Sequence, residues 1–112
     1  MKSIEVTEYI NKFDSSRIKR INEIRDLIHE ILPDINEKLW TGVPCFYSDD
    51  KFILIRIFSK HVNIVADSIL KYKNSFEGYS ITPKGMLQIL DTQKIPSKGM
   101  RQMLKACGKS IK

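Results

Sequence analysis

Tyr47, Arg56, His61 and Asn63 are the side chains of this sequence best suited to hold a small ligand. A phenol, a guanidinium, an imidazole and an amide over apolar neighbours can grip an anion or a carboxylate. An ordinary half-exposed sheet face shows the same mixture, with Arg56 stretched across it and His61 in a turn. A second set is acidic. Glu23, Asp26 and Glu30 fall within a narrow arc of a helix at about 100° per residue, and Asp34 and Glu37 extend the row. Such a row supplies oxygen ligands for a divalent metal, and it is also what a solvated helix face carries. The third set is basic. Lys98, Arg101, Lys105 and Lys109, preceded by Lys94, recur every three or four residues. That ridge can meet phosphates, an anionic surface or an acidic partner, or simply complement a helix C-terminus.

Parts for catalysis are missing. Cys45 and His61 are separated by the strand expected over 51–58, and no third group is placed to orient them. The two cysteines and two histidines lack zinc spacing. A binding protein that is not an enzyme is therefore expected, with no cofactor. Nucleic acid is not the expected partner, because no aromatic residue interleaves with the lysines and no reading motif occurs.

The elements that must position these groups follow from hydrophobic period. Val6 to Phe13 reads as a short helix. Asp14, Ser15 and Ser16 then offer caps for a second. Ile18, Ile21, Ile24, Ile28, Ile31 and Leu32 recur at three and four, the stripe of an amphipathic helix that Pro33 stops. One further turn is expected over 34–39. The period then changes to two. Segments 44–47, 51–58 and 61–66 read as strands, with Ser48-Asp49-Asp50 and Ser59-Lys60 as tight turns. Tight turns set Cys45 opposite Leu54 and Arg56 opposite Asn63. Alternation puts Phe46, Ile53, Ile55, Ile57, Val62, Ile64 and Ala66 on one apolar face, which only the helices can cover. The other face carries the four candidate ligand residues. A helix over 68–76, a fourth strand over 85–90 and a last helix begun by Pro96-Ser97 and ended by Gly108 complete the chain. The fold class is α+β: a two-layer sandwich in which N- and C-terminal helices cover one face of an antiparallel meander plus a fourth strand.

At 112 residues and 42% hydrophobic content the chain is expected to form one domain over 1–112. The net charge of +6 is local. Residues 1–91 carry thirteen basic and thirteen acidic side chains, while 92–112 carry six basic ones and no acid. No signal-like segment or apolar run of about 20 residues is present. A cytoplasmic protein with reduced cysteines and no membrane contact is expected, as a monomer or small homo-oligomer.

Several landmarks recur in a known order. Trp40-Thr41-Gly42-Val43-Pro44-Cys45-Phe46, Lys60-His61-Val62, Gly78-Tyr79, Lys84-Gly85, Gln88 and Ile95-Pro96 together resemble the YdhG-like family of small bacterial domains of unknown function. The similarity runs from about Tyr9 to Cys107. It implies helices on one face of an antiparallel sheet. Some relatives are described as frataxin-like iron chaperones, so iron is the metal the resemblance brings to Glu23, Asp26 and Glu30. Val65-Ala66 and Pro83-Lys84-Gly85-Met86 depart from the family pattern. The resemblance supplies no catalytic residues. The expected function is weak ligand or iron binding, the alternative being an interaction module that uses the basic last helix.

Overall fold

The isoleucine stripe and the switch from helical to alternating period dictate two layers, and a computed structural model of the chain, which describes residues 2–107, has them. Helix α1 spans Ile4–Ile10 and α2 spans Ser15–Ile31. Asp14 caps α2: its carboxylate accepts the Arg17 N–H at 2.9 Å, and that bond lowers the carboxyl below its ordinary value. Pro33 follows the helix end, as expected.

Among the described residues six strands form one antiparallel sheet: β1 Asn36–Trp40, β2 Val43–Ser48, β3 Lys51–Ile57, β4 His61–Val65, β5 Ser80–Ile81 and β6 Leu87–Leu90. Their spatial order is β1-β2-β3-β4-β6-β5. Both registers read from the turns hold, Cys45 opposite Leu54 and Arg56 opposite Asn63. Helix α3, Ser97–Ala106, closes the described chain, and the expected stop at Gly108 lies outside the described residues.

Three expectations need correction. Residues 36–40 form the edge strand β1 rather than a helical turn. Thr41 and Gly42 both have positive φ, +50° and +83°, the backbone of a two-residue hairpin turn joining β1 to β2. The strand is hidden because its most deeply buried position is the charged Glu37 rather than an apolar residue. The second correction is β5, a two-residue strand beyond β6. Finally, the expected helix over 68–76 is a 3₁₀ segment over Leu70–Phe76, kinked at Tyr72.

The covered face is the predicted one. Phe46, Ile53, Ile55 and Ile64 are fully buried there, joined by Leu87 and Ile89 of β6. Ile24, Leu27 and Ile28 of α2 pack on them with Met100, Met103 and Leu104 of α3. Each such side chain contributes about 1.5–3 kcal/mol on leaving water. Gly99 lets α3 approach the 3₁₀ segment, since a Cβ there would stand 2.5 Å from the Ser75 carbonyl. Helix α1 packs its Val6 and Ile10 beside Ile21, with Leu39 of β1 against the same cluster. Along that sheet edge the Glu5 carboxylate accepts the Leu39 N–H at 2.9 Å.

Two buried arginines tie the layers. The Arg17 guanidinium donates to the carbonyls of Phe58 and Ser59, to that of His61 at 3.4 Å and to Asp91 Oδ2 at 3.1 Å. It thereby fixes the β3–β4 turn, and with it the residues flanking the candidate site. Arg25 forms a two-pronged pair with Glu37 at 2.8 and 2.7 Å. Ser3 N–H and His29 Nε2 complete the ring around that carboxylate, at 2.8 and 2.6 Å. Burial pushes the Glu37 carboxyl up, but Arg25, the Ser3 N–H and His29 outweigh it and hold the group below its ordinary value.

Candidate functional site

The uncovered face of the sheet is organised in rows, because residues paired across antiparallel strands point to the same side. One row is polar throughout: Ser80 of β5 lies opposite Gln88 of β6, Gln88 opposite Asn63 of β4, and Asn63 opposite Arg56 of β3. Each pair of Cβ atoms in such a row is about 4.5–5.5 Å apart. A neighbouring row is apolar, running Val65, Leu54 and Cys45 to Lys38. On the other flank Leu90 lies opposite His61, whose ring stacks on Phe58 at 4.7 Å.

The polar row is under-used. Among the described residues the side chains of Ser80, Gln88 and Arg56 make no hydrogen bond or ion pair, and Arg56 is exposed. Asn63 is only 8% exposed. Its amide N–H₂ faces the Met86 sulfur at 3.8 Å, a weak acceptor, and its Oδ1 is buried with no partner. An unpaired buried carbonyl costs about 1–3 kcal/mol, so most such groups in folded proteins are satisfied. Among the described residues the outward strand positions carry Lys38 and Arg56 and no acid, while Asp49, Asp50 and Asp67 border the far end of the face, around Tyr47.

The four predicted ligand residues do not all meet. Arg56 and Asn63 are direct neighbours, and His61 is one repeat along the same face. Tyr47 is not with them. It pairs with Phe52, four residues from Arg56 along β3 and so about 13 Å away. The hairpin at Asp49-Asp50 fixes that register and sends Tyr47 to the far end of the sheet, where Lys38 Nζ lies 4.6 Å from its ring centre. There it borders an open depression of about 670 Å³ between Lys38, Phe52 and Lys84. Gln88 and Ser80 are not legible from the sequence as members of this row, because only the β4–β6–β5 pairing brings them beside Asn63. The alternation of Leu87, Gln88 and Ile89 was the available signal.

Trp40 and Phe52 meet edge to face at 5.3 Å, diagonally across the apolar row. Leu54 and Cys45 within that row are 4% and 0% exposed. Burial pushes the Cys45 thiol up, and it pushes Cys107 up to about 12 with help from the Asp67 carboxylate. Both thiols are free of disulfide.

The acidic row does not form a ligand set. Glu23, Asp26 and Glu30 are exposed on α2, but Lys2 takes Asp26 at 2.6 Å and Arg101 pairs with Glu30. Among the described residues no group of three or more His, Cys, Asp and Glu side chains could share one metal ion. The reason is that cations from the N-terminus and from α3, distant in sequence, reach the same helix face. The same contact breaks the basic ridge. Arg101 is committed to Glu30, Lys98 and Lys105 are exposed, and Lys109 lies outside the described residues. No helix among the described residues is long and apolar enough to cross a membrane.

An open antiparallel sheet roofed on one side by helices, with a polar row on its bare side, defines the class: an α+β two-layer sandwich. Among solved structures the chain is similar to a crystal structure of YdhG, a DUF1801-family protein from Bacillus subtilis. The two match with a TM-score of 0.81 over 93% of this chain and 89% of that one, at 18% sequence identity. The resemblance read from the sequence motifs therefore extends to the fold. No protein-family model and no curated protein matches the sequence.

Proposed function

We propose that this chain is a YdhG-like binding domain that holds a small organic anion on the bare face of its sheet. The observation that carries the reading is Arg56, an outward guanidinium with no counter-charge among the described residues, directly opposite the half-satisfied amide of Asn63. A guanidinium beside an amide over Leu54 and Val65 offers two directed contacts and an apolar floor. His61 is a flanking donor or acceptor one repeat away. The reading is one of binding without chemistry in a cytoplasmic protein, and it is supported by Cys45 in the neighbouring row, which is buried with its thiol pushed up.

Iron binding at Glu23, Asp26 and Glu30 is the weaker reading, since Lys2 and Arg101 already occupy two of the three carboxylates. Contact of the basic last helix with an acidic partner is weaker for the same reason, Arg101 being engaged. The test is a panel of small carboxylates and phosphates titrated into the protein while backbone amide shifts are followed. Shifts should centre on Arg56, Asn63 and His61, and Arg56→Met should weaken binding about tenfold or more. Identical affinities in Arg56→Met would remove the proposal. Selective movement at Glu23, Asp26 and Glu30 on adding Fe²⁺ would favour the iron reading instead.

A further inference from the structure

Arg56 explains an anion, but it does not explain Asn63. A carboxylate offers only acceptors, and the unpartnered atom of Asn63 is itself an acceptor. What Oδ1 lacks is a donor. From the pairing of these two residues we infer that the ligand is a small acid carrying a hydroxyl or amino group next to its carboxylate. This rests on the anion-binding reading above and narrows its ligand class.

The spacing fits. Arg56 and Asn63 sit directly across strands, so groups attached to adjacent ligand atoms can face both at once. The carboxylate meets the guanidinium, and the neighbouring O–H or N–H donates to Asn63 Oδ1. Gln88, on the other side of Asn63, has a free amide able to accept or donate to the same substituent. Access requires only side-chain rotation, because the flanking side chains of Arg56 and Gln88 have no hydrogen bonds to break among the described residues. The rest of the molecule is apolar or short, since Leu54, Val65 and Leu90 border the row.

The discriminating experiment compares two acids of the same skeleton, leucic acid and isocaproic acid, which differ by one hydroxyl. Both are titrated into the full chain, unmodified and as Arg56→Met and Asn63→Leu, with amide shifts as readout. Leucic acid should bind the unmodified protein about tenfold more tightly, the value of one well-placed hydrogen bond to an otherwise orphaned group. Asn63→Leu should bring the two acids to within about twofold of one another. Equal binding of both acids, lost in Arg56→Met, would overturn this inference and leave the anion site standing. A preference for leucic acid that survives in Asn63→Leu would overturn it as well. Absence of binding by either acid at Arg56 and Asn63 would overturn the anion site together with the inference. The unmodified protein alone decides the first comparison, so it does not depend on how the variants fold.

Discussion

Asn63→Leu should make the protein more stable. Asparagine and leucine share a branched shape, and the extra bulk of leucine is directed to the bare side of the sheet. The substitution removes a buried carbonyl that has no partner, worth about 1–3 kcal/mol. It forfeits the 3.8 Å contact of the amide with the Met86 sulfur, which is worth at most about 0.5 kcal/mol. Leucine also suits a strand flanked by Val65 better than asparagine does. The expected balance is a gain of about 1–2 kcal/mol. At about 4 °C per kcal/mol for a domain of this size, the melting temperature should rise by about 4–8 °C. Calorimetry, checked by urea unfolding with an unchanged slope, measures it. A melting temperature below that of the unmodified protein would refute the premise that Oδ1 is an orphan. A more stable protein that has lost discrimination between acids is the pattern expected when a fold tolerates local misfit for the sake of a site.

Other perturbations test the scaffold. The Glu37 carboxyl is held below its ordinary value in the folded chain, so its contribution is complete above the unfolded value of about 4.3 and is lost as pH falls through the depressed folded one. Glu37→Gln should flatten that acid limb and cost about 3 kcal/mol near neutral pH, because Arg25 is left buried without its counter-charge. Urea midpoints at neutral pH and at about pH 3 read both effects, and equal stability of the two proteins at neutral pH would contradict the account. Gly99→Ala should destabilise by about 1–2 kcal/mol although alanine favours helix, because its methyl would press on the Ser75 carbonyl and the Phe76 ring. A higher urea midpoint would show that α3 and the 3₁₀ segment have room to part.

The central meander was legible because its turns are short. Two residues at Ser59-Lys60 leave no freedom of register, so Arg56 opposite Asn63 followed from counting. Strand β1 was not legible for a physical reason. Its most deeply buried residue is Glu37, and what makes that charge tolerable is Arg25, twelve residues earlier on a different element. Periodicity registers apolar burial and is blind to a compensated ion pair. The same limit hid the loss of Asp26 and Glu30 to Lys2 and Arg101, which approach from 24 and 71 residues away. Tyr47 shows the converse. Alternation places it on the correct face, but a face has length, and alternation alone does not say how far along it two side chains stand.

Glu5 bears on how this molecule meets its own kind. An unguarded border strand invites a neighbour to add its own backbone and so lengthen the sheet into a dimer or a fibril. At Leu39 the N–H such a newcomer would need is already answered by a carboxylate from α1. The opposite border is the two-residue β5, too brief to template much. Copies of the protein at high concentration are thus steered away from backbone stitching, and any association between them must come through side chains instead.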